Sequence, residues 1–269
     1  MTVKTNLIAA SILTFSLAGC TQGFLEADIT PPAPPSGLRT STGDNFIEVF
    51  WNENRESDVA GYNIFVSTSP NGRYQLIGSP PRAYFLDNGA VNGTTYYYGV
   101  TAYDMAGNES ALSREIAVDS PRPEGYDVVL SDFRSRPATS GYAFAAYAVV
   151  AYNDQISDMW YEYYNGSHYM DVRTDTDIQD MGPTNSILDI DAAPSGGWRS
   201  THDVLLAKGH TYVVWTYDDH YAKFRVTSMS TDRMTFDWAY QLQVSNPLLK
   251  RAVVGGAGSR PAARSHRDN

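Results

Sequence analysis

Gly93-Thr94-Thr95-Tyr96-Tyr97-Tyr98-Gly99-Val100-Thr101-Ala102 is the stretch that decides the fold. Tyr96, Tyr98, Val100 and Ala102 fall on every second position, the period of a β-strand, so they share one face and bury it together. The same alternation occurs upstream in Ile47, Val49 and Trp51 and again in Tyr62, Ile64 and Val66. Between these runs stand Asn71-Gly72, Asn88-Gly89 and Asn92-Gly93, and Gly and Asn tolerate a positive φ at little cost. Short alternating runs separated by turn residues predict an all-β sandwich from Ser36 to Val118.

The landmarks of this segment carry a family resemblance. Pro35-Ser36-Gly37-Leu38, the run ending in Trp51, Asp58-Val59-Ala60-Gly61-Tyr62, the tyrosine-rich stretch quoted above and Ala106-Gly107-Asn108-Glu109-Ser110 follow one another in order. Together they resemble a bacterial fibronectin type III domain. The resemblance implies a seven-stranded Greek-key sandwich with Trp51 as a core residue between the sheets. It also implies that Tyr96 bonds back to the backbone at a corner of the fold. Both roles are structural, and that fold serves unrelated proteins as spacer, adhesion unit or binding module.

Asp119 to Gly125, with two prolines and a glycine, reads as a linker. The region 126–249 beyond it is also β-rich and predicts a second antiparallel sandwich or small barrel of seven to nine strands. Asn165-Gly166-Ser167 and Asp218-Asp219-His220 mark hairpin turns. The run 142–152, YAFAAYAVVAY, reads as a strand by its Tyr, Val and Phe content, with a short buried helix as the alternative. Residues 176–205 read as long connections.

Several side chains are candidates for binding. In Trp160-Tyr161-Glu162-Tyr163-Tyr164 alternation places Trp160, Glu162 and Tyr164 on one face and Tyr161 with Tyr163 on the other. One face is core, and the other offers Trp160 and Tyr164 to a sugar ring or a partner. Trp198, after Gly196-Gly197, is a third candidate on an exposed loop. Asp171, Asp175, Asp177 and Asp180 have a spacing that presents oxygens to Ca²⁺, without the twelve-residue calcium-loop pattern. The acidic loop Asn52 to Asp58 offers oxygens in the same way. His168, His202, His210 and His220 show no HxH or HxxxH pair. The segment 212–226 with 234–241 weakly resembles the closing hairpins of HmuY-type haem-binding lipoproteins, which makes haem a candidate cofactor. Phosphate loops, nucleophile elbows and zinc-protease motifs do not occur, so the reading is non-catalytic, with a carboxylate-dependent hydrolase as an alternative.

Cys20 is the single cysteine of the 269 residues, which excludes an internal disulfide framework. It follows Lys4, an apolar run from Leu7 to Leu17, and Leu17-Ala18-Gly19. That order is signal-peptide grammar, and the run is too short to span a bilayer. The four residues ending in Cys20 resemble the lipobox of bacterial lipoproteins, which implies cleavage after residue 19, acylation of the Cys20 thiol by palmitate-type chains, and anchoring in membrane lipid. Residues 20–35, with Pro31-Pro32-Ala33-Pro34-Pro35, read as an extended tether. Residues 250–269 read as a disordered basic tail. A net charge of −10 argues against nucleic acid as a partner. The expected protein is an exported cell-envelope lipoprotein. Thr21 after the cysteine favours the outer membrane of a Gram-negative host. A fibronectin-like spacer would present a second β-domain to a polysaccharide or an envelope protein.

Overall fold

The computed structural model describes residues 27–249, so Cys20 and the tail 250–269 lie outside the described residues. The described residues form four antiparallel β-sheets. The first sandwich packs β1 (Ser36–Thr42), β2 (Ile47–Asn52) and β5 (Tyr84–Asp87) as one sheet. Its second sheet has the order β4 (Gln75–Gly78), β3 (Val59–Ser67), β6 (Tyr96–Asp104), β7 (Ala117–Asp119). The alternating residues meet between the sheets. Ile47, Val49, Ile64, Tyr98 and Val100 are fully buried, and Trp51 meets Tyr62 edge-on at 5.3 Å. The Tyr96 hydroxyl accepts a hydrogen bond from the Val91 N–H at 3.0 Å. Residues 27–35 run along this sandwich with Pro32 and Pro35 buried.

The second unit is a sandwich of ten strands, more than the seven to nine expected and not a barrel. One sheet has the order β10 (Ala148–Val150), β9 (Gly141–Ala143), β11 (Met159–Tyr164), β12 (Ser167–Val172), β14 (Asp203–Leu205). The other has β13 (Asp177–Pro183), β15 (His210–Trp215), β16 (Tyr221–Ser230), β17 (Arg233–Tyr240), β8 (Glu124–Ser131). Rings fill the space between them. Tyr142 from one sheet meets Phe236 at 5.3 Å and Trp238 at 5.6 Å from the other, and Phe224 stacks on Tyr212 at 5.0 Å. The Asn165-Gly166 turn has φ of 50° and 84°, and Asp219 has φ of 65°, the left-handed geometry that tight hairpins use.

Three segments depart from the sequence reading. The run 142–152 is neither one strand nor a helix but a hairpin of β9 and β10, turning at Tyr147 with φ of 54°. Its rings decide this, because Tyr142 and Phe144 both enter the core and the Asp158 carboxylate holds the Phe144 N–H at 2.8 Å. The stretch 176–205 is only partly connection. β13 pairs with β15, burying Ile178, and β14 pairs with β12. What remains folds over the outer face of the β13–β8 sheet, where Lys223, fully buried, donates from Nζ to the Ile190 carbonyl at 2.9 Å. Finally, the segment expected as a linker is strand up to Asp119 and again from Glu124, with Pro121, Arg122 and Pro123 buried between.

Asp158 is 4% exposed, and burial pushes its carboxyl up to about 7 against the opposing Phe144 hydrogen bond. Between about pH 4 and pH 7 the folded chain therefore keeps a proton here that the unfolded chain has released, so stability falls as pH rises through that window. Each tenfold change in proton affinity is worth about 1.4 kcal/mol. Asp158→Asn is expected to flatten the slope and to raise the melting temperature at pH 8 relative to the parent, read by thermal denaturation at each pH. In the core between the sheets, Phe236→Ala removes a fully buried ring and is expected to lower stability by about 3–5 kcal/mol in a denaturant titration.

Candidate functional site

Strand alternation sends Met159, Tyr161 and Tyr163 of β11 inward and Trp160, Glu162 and Tyr164 outward. Met159 and Tyr161 are fully buried, and Tyr163 packs against the same core. Inside, the Tyr161 hydroxyl donates to the Ser230 carbonyl at 3.0 Å and lies 2.6 Å from His168 Nδ1. Outside, ladder register sets the neighbours. Trp160 lies across from Asp171, which lies across from Asp203; Glu162 lies across from Tyr169, then Leu205; Tyr164 lies across from Ser167. Four residues along a strand at ~3.3 Å each put Trp160 and Tyr164 about 13 Å apart on one face.

A continuous set of edge-on and tilted ring contacts, closed by a guanidinium, joins the two rings. Trp160 meets Tyr152 at 6.3 Å, Tyr152 meets Phe133 at 5.1 Å, and the Arg134 guanidinium lies 5.3 Å from the Phe133 ring and 4.5 Å from the Tyr164 ring. Arg134 also pairs with Glu162, its Nε donating at 3.0 Å. Tyr164 is 48% exposed at the open end of this set. Burial pushes the Asp171 carboxyl up to about 7, with Glu162 and Asp203 adding to the effect and Arg134 opposing it. The face thus combines aromatic rings with carboxyl acceptors, which suits a ligand of apolar ring faces bearing hydroxyl donors.

The other nominated residues are elsewhere. Trp198 is not an exposed-loop side chain. It packs at 5.8 Å from Trp215 and 6.4 Å from Tyr221 on the outside of the opposite sheet, because the 184–202 connection uses it to cover that sheet. Trp51 and Tyr96 sit at the centre and the corner of the first sandwich. Asp171, Asp175, Asp177 and Asp180 do not converge on one point. Asp171 belongs to the outer face of β12, Asp175 stands 3.9 Å from Arg173 Nε, Asp177 opens β13, and Asp180 holds His210 Nδ1 at 3.0 Å. The histidines have separate partners: His168 has Tyr161, His202 the Thr176 carbonyl, His210 Asp180 and His220 Asp218.

Among the described residues, the group of three ligand-type side chains that comes together is Asp28, Asp58 and Asp104, one carboxylate oxygen from each lying within 4.8 Å of the others. Asp58 comes from the acidic loop after β2, whereas Asp28 and Asp104 had no pattern to mark them. Asp104 is held low mainly by the Asn108 side-chain amide. Beside this loop a surface cavity of about 490 Å³ is lined by Ala33, Pro34, Ser36 and residues 52–56. Glu56 closes one side of it by accepting the Ala33 N–H at 2.7 Å. On the β11 face, Phe133, Arg134, Tyr152 and Tyr169 were not singled out by sequence. The only signal was an Arg-aromatic pair at the end of a predicted strand.

No family model matches the chain. A stretch of 100 residues is 34% identical to an amylopullulanase from Thermoanaerobacter thermohydrosulfuricus, covering 37% of the chain and 7% of that protein. A stretch of 148 residues is 26% identical to chitinase A1 from Niallia circulans, covering 52% of the chain and 20% of that protein. The chain therefore spans a small part of the length of these curated relatives. Among solved structures it is similar to an Fn3-like protein from Clostridium thermocellum at 31% identity, covering 36% of the chain and all of that one, with a TM-score of 0.30. The strand order β1-β2-β5 over β4-β3-β6-β7, with Trp51 at its centre and Tyr96 bonded at its corner, makes the first sandwich a fibronectin type III domain.

Proposed function

We propose that this chain is a non-catalytic, lipid-anchored protein of the bacterial cell envelope whose fibronectin type III domain is a spacer and whose second sandwich binds an uncharged polysaccharide. The observation that carries the reading is the outward face of β11, where Trp160 and Tyr164 stand about 13 Å apart along the strand, joined by Tyr152, Phe133 and Arg134. A linear chain of sugar rings can lie along such a strip, stacking at both ends and donating hydroxyls to Glu162, Tyr169 and Asp171 between them. The acidic groups Glu162, Asp171 and Asp203 outnumber the one Arg134 guanidinium on this face, which on a chain of net charge −10 disfavours an anionic glycan. The partial likeness to an amylopullulanase and a chitinase, both named for polysaccharide substrates, fits a module that serves carbohydrate chemistry. Export and anchoring through Cys20 rest on the sequence preceding the spacer.

Full-length protein is expected to be retained in an affinity gel containing a neutral β- or α-glucan and to pass freely through one containing polygalacturonate. Trp160→Ala is expected to weaken retention at least tenfold, about 1.4 kcal/mol. Trp198→Ala is expected to leave retention unchanged while lowering the melting temperature, since its ring packs on the opposite sheet. Equal retention of the parent and Trp160→Ala would show that this face is not the site. The anchor is tested separately: Cys20→Ser is expected to move the protein from the detergent-extracted membrane fraction to the soluble one, and persistence in the membrane would refute acylation at that thiol.

A further inference from the structure

Residues joining two domains are ordinarily exposed, and relative motion of the domains is the default unless something fixes their interface. Here Arg122, in the middle of the connection, is 1% exposed. Its Nη2 lies 3.5 Å from Oε1 of Glu124, the first residue of β8, and Asp119, the last residue of β7, acts on the guanidinium from farther off through its charge. Burial pushes the guanidinium below its ordinary value, while Glu124, Asp119, Tyr126 and Asp191 act against that fall, in decreasing order. Asp119 in turn accepts from the Thr42 hydroxyl at the end of β1, and the Arg122 N–H donates to the Gly43 carbonyl at 3.3 Å.

A second set of contacts crosses the joint independently. Gln243, just beyond β17, directs its side-chain amide at three acceptors of the first sandwich and its exit: Thr95 Oγ1 at 2.7 Å, Ser120 Oγ at 3.0 Å and the Gly93 carbonyl at 3.3 Å. The neighbouring Leu242 packs against the Cα face of Gly93, where an added Cβ would stand 3.4 Å from two of its carbons. Gly93 has φ of 80° and donates its N–H to the Pro121 carbonyl at 2.8 Å, so the turn before β6 is bonded to the connection itself.

We infer that the two sandwiches form one rigid body, locked at this joint by Arg122 and Gln243. The apolar contact of Leu242 with Gly93 supplies the attraction. The polar groups supply the orientation. A buried ion pair adds little net stability, because desolvation offsets its Coulombic gain, but any slippage that keeps Arg122 dry while separating it from Glu124 is strongly unfavourable. The amide of Gln243 likewise finds its three acceptors in one relative placement only. The face of β11 consequently keeps a fixed direction relative to the first sandwich and to whatever holds that sandwich in place, and cannot swivel as it would on a free seven-residue linker.

Small-angle scattering of the full chain, together with digestion by a protease of broad specificity, tests this without any glycan, so its outcome is separate from that of the binding proposal. The parent protein is expected to scatter as a single conformation and to resist cleavage between residues 119 and 124. Gln243→Ala combined with Arg122→Met, an apolar replacement that leaves no unpaired cation, is expected to raise the radius of gyration and to speed cleavage in that segment at least tenfold. Near-ultraviolet circular dichroism of both sandwich cores is expected to stay unchanged. Gln243→Ala alone, at a partly exposed side chain, gives the same direction with a smaller effect should the double variant fold poorly. Scattering of the parent that requires several relative placements of the two sandwiches, or parent cleavage at residues 119–124 as fast as in the variants, overturns the inference.

Discussion

The contact on which the second sandwich depends is that of Tyr142 with Phe236 and Trp238, edge-on at 5.3 Å to the first and tilted at 5.6 Å to the second. These three rings come from the two opposed sheets and bring their inner faces together. Because side chains alternate strictly along a strand, fixing Met159 and Tyr161 against this cluster leaves no freedom for their neighbours: Trp160, Glu162 and Tyr164 must face out. A slip of one residue in β11 would exchange the sets, burying Glu162 and exposing Tyr161 and Tyr163. The candidate binding face is thus a consequence of core packing. Its rings are outside because other rings won the inside.

The parts of this fold that were legible in the sequence are those in which a single periodicity runs for four or more residues and ends in a turn of fixed chemistry. In β6 the apolar set that enters the core is Tyr98, Val100 and Ala102, with Tyr96 packed at its margin, as alternation requires. Asn165-Gly166 and Asp219 turn with positive φ where the residue types asked for it. The division of Trp160 to Tyr164 between two faces followed from the same rule. Periodicity does not reveal which rings from distant segments join a face. Phe133, Tyr152 and Arg134 reach Trp160 and Tyr164 through connections whose paths depend on tertiary packing, so half of the strip was invisible in the chain.

The misreadings have a common physical origin. In 142–152 alanines separate the rings, and alanine favours helix intrinsically yet makes no packing demand of its own, so Tyr142, Phe144 and Asp158 decide the backbone from outside the local pattern. β14 has three residues, too short for alternation to register, and forms because β12 presents an unpaired edge to it. Trp198 follows two glycines and reads as exposed, but the outer surface of the β13–β8 sheet carries Val213, Trp215 and Tyr221, an apolar patch that has to be covered. The connection that covers it uses the tryptophan it has. Local composition described the loop correctly and its destination wrongly.

Buried ionisable groups are the extreme case of the same limit. Lys223, Asp158 and Arg122 are indistinguishable in sequence from solvated side chains, and each stands where a connection meets a sheet or where two sandwiches meet. Lys223 holds the Ile190 carbonyl and so pins the covering segment to β16; Asp158 holds the Phe144 N–H and so shapes the hairpin beside the core. Arg122 pairs with Glu124 of β8 at 3.5 Å while its backbone N–H holds the Gly43 carbonyl of the first sandwich. Apolar contacts in these places are largely non-directional and would tolerate sliding. A desolvated charge does not, since moving it away from its partner without rehydrating it is among the costliest changes a protein interior can undergo. Placing charges at the seams therefore trades some net stability for a single arrangement of parts. In a protein whose proposed work is to hold a flat binding strip in a set direction, that arrangement is what the seams must secure.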